Sequence, residues 1–82
     1  MFDTQIFGQR LRAIREQKGA SRRDLMDLLG VTRTQIGDME NGKAMTTLPK
    51  LVALAEYLHV STDYLLGITD DPAWRGPDEE DS

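Results

Sequence analysis

Cysteine is absent from this 82-residue chain, and histidine occurs once, as His59. Without thiols there is no disulfide framework and no thiolate chemistry, a composition that suits a reducing cytoplasm. The lone imidazole stands just before Val60 and Ser61 and reads as a helix-end residue rather than a metal ligand. No Ser/His/Asp or metal-ligand spacing is present either, so the expectation is a protein that is not an enzyme and carries no metal and no cofactor. Long apolar runs are missing as well. No stretch approaches the ~18 residues of a membrane span, and Asp3, Gln5 and Arg10 interrupt the N-terminal apolar residues, which rules out a signal-peptide core. A soluble cytoplasmic protein with no membrane contact and no evident small-molecule ligand is expected.

Positive charge is also scarce, with a formal net charge of -4. That balance ordinarily argues against nucleic acid, whose binding begins with Lys and Arg neutralising phosphates. Its distribution is uneven. Residues 1–43 carry eight basic against six acidic side chains, whereas residues 44–82 carry only Lys50 and Arg75 against eight acids. Half of those eight lie in the final "DEEDS", which reads as a solvated tail. A Debye length of about 8 Å at physiological salt hides such a tail from a distant face.

What is present is helical periodicity. Phe7, Leu11 and Ile14 recur at i, i+4 and i+7 and predict an amphipathic helix over residues 6–18, ended by Gly19. Ser21 starts a second helix with Asp24 as a capping partner and Leu25, Leu28 and Leu29 as the inward face, and Gly30 stops it. The strongest start signal follows. Thr32 is an N-cap, Gln35 closes a capping box, and Val31 faces Ile36 as a hydrophobic staple, giving a third helix from Arg33 to about Asn41. After the loop "KAMTT", Thr47 caps a fourth helix that tolerates Pro49 in its first turn and buries Leu51, Leu54, Ala55 and Leu58. Ser61 caps a short fifth helix, "TDYLL", with Val60 and Leu65 in staple positions and Gly67 as its stop. The fold class is all-α, with one small domain over residues 1–68 and an extended acidic tail over 69–82 in which Trp74 is either packed back or used at an interface.

Residues 22–41 have the form of two short helices joined by a glycine turn, so that the second projects from the surface. With Ile36 set inward, steps of 100° put Thr34, Gly37, Asp38 and Asn41 on the far side and Arg33 on the flank. The pieces "FGQRLRAIREQKG", "LMDLLGVTRTQIGDMENGK", "LPKLVALAEYLHVS" and "DYLLG" stand in an order and spacing that resemble the Cro/repressor-like helix-turn-helix family of phage and bacterial transcriptional regulators, over residues 6 to about 67. The resemblance implies a compact five-helix repressor-like domain that binds operator DNA in the major groove, usually as a homodimer. It implies that Arg15 and Glu40 form a structural ion pair. It makes Ser21, Arg22, Asn41 and Lys43 phosphate-side groups and Arg33, Thr34, Gly37 and Asp38 base-facing ones. Arg22 stands where that family commonly has glutamine, and Met26 where it has a small residue.

Three of these positions carry open alternatives. Arg33 either reads guanine through O6 and N7 or is a phosphate clamp or merely solvated. Gly37, mid-helix, costs about 1 kcal/mol relative to alanine and either permits close approach of backbone to DNA or is neutral. Asp38 can accept from cytosine N4 but repels phosphate, and the positions three or four residues away on its own helix hold no base to offset it. It is either a selectivity element or a mark of weakened affinity. The alternative function is a protein-interaction module of antitoxin-like type on the same scaffold. Tyr64, Leu65, Leu66, Ile68 and Trp74 are more apolar groups than a short helix and tail easily hide, and are expected as the homodimer contact; the competing reading folds Ile68 and Trp74 onto the fourth helix.

Overall fold

The computed structural model describes residues 2–76; the acidic run at 78–81 lies outside them. Five helices follow one another: α1 (Thr4–Gln17), α2 (Arg22–Leu29), α3 (Arg33–Glu40), α4 (Leu48–Leu58) and α5 (Thr62–Leu66), and no strand occurs among the described residues. Each begins where a side chain can accept from an otherwise unpaired backbone N–H. Asp3 accepts from the Gln5 amide at 2.8 Å, so α1 starts at Thr4, two residues before the start predicted at residue 6. The boxes of α2 and α3 are reciprocal. Ser21 Oγ accepts from the Asp24 amide at 3.1 Å while Asp24 Oδ2 accepts from the Ser21 amide at 2.8 Å. Thr32 and Gln35 exchange the same two bonds at 3.1 and 2.8 Å. Each such cap stabilises its helix by about 1 kcal/mol.

α1 packs against α3 and α5, α2 against α3 and α4, and α4 against α5. The shared interior holds Phe7, Leu11 and Ile14 of α1, Leu25 and Leu29 of α2, Ile36 and Met39 of α3, and Leu51, Leu54, Ala55 and Leu58 of α4. The staple pair Val60 and Leu65 completes it. Leu28 departs from expectation. It lies 100° round α2 from Leu29, at the edge of the covered arc, and is exposed. Met26, where a small residue was the family's habit, is accommodated as a partly buried side chain packed on the core.

α1 crosses the end of α3 at close range. A Cβ on Gly8 would lie 2.5 Å from the carbonyl oxygens of both Met39 and Glu40, so backbone meets backbone there and only a glycine fits. Thr4 Oγ1 reinforces the same junction by donating to the Gly42 carbonyl at 3.0 Å.

The segment after Gly67 has no helix, as its prolines predict, but it does not leave the body. Arg10 of α1 holds its start: Nη1 donates to the carbonyls of Tyr64 at 2.7 Å and Thr69 at 2.6 Å, and Nη2 to Asp70 Oδ1 at 2.7 Å. The guanidinium also lies 4.3 Å from the Tyr64 ring centroid, a cation–π contact. Farther along, the Ser61 amide donates to the Pro72 carbonyl at 3.2 Å. His59, the only non-glycine residue with positive φ among those described, ends α4 in the left-handed region and stacks on Trp74 at 5.5 Å between centroids. Trp74 is partly buried against the core. Leu65 is fully buried and is therefore a core residue, not a contact for a second copy. Tyr64 is half-covered, while Ile68 remains exposed.

Candidate nucleic-acid interface

The helix-turn-helix frame consists of α2, a three-residue turn whose Gly30 adopts φ 66°, and α3. Left-handed backbone at Gly30 lets the chain reverse without a Cβ clash, and its amide closes α2 on the Met26 carbonyl at 2.8 Å. Ile36 and Met39 turn inward onto α1 and α2, which leaves the opposite face of α3 to solvent. Arg33 and Thr34 are exposed on its first turn, Gly37 and Asp38 are half-exposed, and Asn41 is exposed at its C-cap. Ser21 and Lys43 are exposed at the two ends of the unit. The residues read from the sequence as base-facing thus share one surface of α3.

Arg22 is placed differently from that reading. Its Nε donates to Glu40 Oε1 at 3.2 Å, so it is engaged in an internal cluster rather than held free toward a phosphate. The same carboxylate takes two bonds from Arg15, Nε to Oε2 at 2.6 Å and Nη2 to Oε1 at 3.2 Å. Arg15 Nη1 in turn donates to the Ala20 carbonyl at 3.1 Å, just before α2. Glu40 has no exposed side-chain surface, and its hydrogen bond holds the Arg15 guanidinium above its ordinary pKa, outweighing the opposite effect of burial. The implied Arg15–Glu40 pair is therefore present and enlarged to a three-residue junction. It joins α1, the first turn of α2 and the last turn of α3, and so fixes the pose of the outward face of α3.

A cleft of about 380 Å³ runs along the other flank of α3. It is lined by Val31, Gln35, Asp38 and Met39 from α3 and the turn before it, and by Ala44, Met45, Thr46, Thr47 and Lys50 from the following loop and α4. Lys50 belongs to α4, 12 positions from Asp38, and nothing in the local pattern brought it to the site. The roles of Arg10 and Gly8 leave no local signal either, since their partners lie far away in sequence. Among the described residues no group of three or more His, Cys, Asp or Glu side chains is placed to hold a metal ion, and no helix is long and apolar enough to cross a membrane.

Comparison with known proteins supports this frame. The helix-turn-helix family profile matches residues 11–65. A prophage-derived, uncharacterized HTH-type transcriptional regulator of Bacillus subtilis, YonR, is 46% identical over 61 residues, covering 74% of this chain and 56% of its own. The chain thus spans little more than half the length of that relative. Among solved structures, the restriction-modification controller protein C.AhdI of Aeromonas hydrophila is 35% identical with TM-score 0.67, covering 76% of this chain and 94% of its own. The P22 c2 repressor, solved in complex with a synthetic operator, is 32% identical with TM-score 0.69 and the same two coverages. With the profile spanning most of the chain and the five helices in matching order, the protein belongs to the Cro/repressor-like helix-turn-helix family.

Proposed function

We propose that this protein binds duplex DNA sequence-specifically, laying α3 in the major groove, and regulates transcription as a repressor in the cytoplasm, without catalysing a reaction. The observation that carries the reading is the outward face of α3: Arg33, Thr34, Gly37 and Asp38 on one surface, held in a fixed pose by the Glu40 junction. Arg33 can bond guanine O6 and N7 together, worth about 1–3 kcal/mol of discrimination, and Thr34 can offer its hydroxyl or its methyl. Ser21, Asn41 and Lys43 serve phosphates, and Arg22 acts mainly by positioning. The similarity to a repressor solved on its operator points the same way.

The working unit in this proposal is a homodimer, because one α3 covers only a few base pairs and a second lies about 34 Å along the duplex. Its contact centres on Leu66 and Ile68, with Phe2 beside them; these three line one shallow apolar depression with Gly67. Tyr64 and Trp74, outside that depression, extend the contact. Titration of duplex fragments at two salt concentrations tests the DNA reading, with affinity expected to fall as salt rises. If no genomic fragment is retained even at low salt, the interaction-module reading replaces it. Sedimentation of the free protein beside its Leu66→Ala variant tests the dimer. A wild type that stays monomeric far above its DNA affinity, and leaves no two-fold footprint, removes that part.

A further inference from the structure

Asp38 and Lys50 form the one unlike-charged couple on the cleft beside α3. Among the described residues neither side chain has an ion-pair or hydrogen-bond partner. The other charged side chains around α3 are placed differently: Glu40 is consumed by Arg15 and Arg22, Arg33 lies in the first turn, and Lys43 is exposed past the C-cap, both of these outside the cleft's lining. A carboxylate set beside a DNA groove meets the field of the phosphates, and α3 itself offers no base at i±3 or i±4 of Asp38 to offset it. The fold supplies what the helix lacks, because the first turn of α4 brings Lys50 to the lining of the same cleft as Asp38.

We propose that Asp38 and Lys50 act as one specificity unit for cytosine, an inference that rests on the DNA-binding reading. Asp38 accepts a hydrogen bond from cytosine N4, the base-edge group in the major groove that donates where guanine only accepts. Lys50 is the positioning residue: its ammonium offsets the carboxylate against the phosphates and orients it to the base edge. The two side chains share the cleft's lining without forming an ion pair, which leaves the carboxylate open to a base.

A two-by-two comparison tests this: wild type, Asp38→Ala, Lys50→Met and the double variant, each titrated by fluorescence anisotropy against a selected operator and against a library randomised at every position. Wild type should prefer cytosine at one position, and Asp38→Ala should lose that preference. Lys50→Met should lose most of it too, while Lys50→Arg restores it. The affinity loss from Lys50→Met should exceed its loss in the Asp38→Ala background by about tenfold, the coupling of two residues acting together. Equal losses in both backgrounds, spread evenly over all sequences, would show a lysine that touches phosphate alone and would overturn the unit while leaving DNA binding intact. A wild type that binds no duplex at all would overturn both. Thermal melting of each variant confirms that changes in preference are not changes in folding.

Discussion

Two glycines in helices make opposite cases at the scale of single residues. Gly8 sits where α1 crosses the end of α3, and a methyl there would drive into the Met39 and Glu40 carbonyls. Gly8→Ala gains helix propensity but must push the two backbones apart, so it should destabilise the domain by about 1–3 kcal/mol, read as a lower urea midpoint. Gly37 meets open space: nothing lies within 4 Å of a Cβ built on it. Gly37→Ala should therefore stabilise the free protein, by up to about 1 kcal/mol in the same denaturation experiment. The substitution also resolves the role of that position. A variant that is more stable yet binds DNA more weakly identifies Gly37 as a place of close backbone approach; unchanged binding makes it neutral.

At the scale of elements, the segment after α5 behaves as a strap whose anchor is Arg10. Three hydrogen bonds and a ring contact from one guanidinium hold residues 64–70 against α1, and Trp74 closes the far end on His59. Because Trp74 is the only tryptophan, its fluorescence reports the strap directly. Arg10→Ala should shift that emission to the red and raise its quenching by iodide; an unchanged spectrum would mean that the stack on His59 suffices without the anchor. The contrast between caps and strap also explains what the sequence could tell. Starts and stops of α2 through α5 were legible because Ser21, Thr32, Thr47 and Ser61 act on backbone groups within three residues. The face of α3 was legible too, through the angular position of Ile36. Arg22 on Glu40, Lys50 in the cleft with Asp38 and Arg10 on Thr69 were not, because each partner arrives from another helix or segment. The burial of Leu65 is a related case, since one apolar residue suits a core and an interface equally until its neighbours are known.

For the molecule as a whole, an acidic balance and a DNA-binding role are compatible because charge acts over a limited range. Removing residues 77–82 deletes four carboxylates. This truncation should strengthen DNA binding at about 0.01 M salt, where the Debye length is about 30 Å, and alter it little at 0.15 M, where it is about 8 Å. Anisotropy titrations of full-length and truncated protein at both salts provide the check, and an equal effect at both would point to direct contact instead. The Glu40 junction has a calorimetric counterpart. One buried carboxylate gathers both ends of the helix-turn-helix onto α1, so this unit meets DNA already folded. The heat-capacity change of association should then match the surface covered, without the excess that marks coupled folding and binding. In a Glu40→Ala variant, where the third helix is no longer tethered, that excess should emerge.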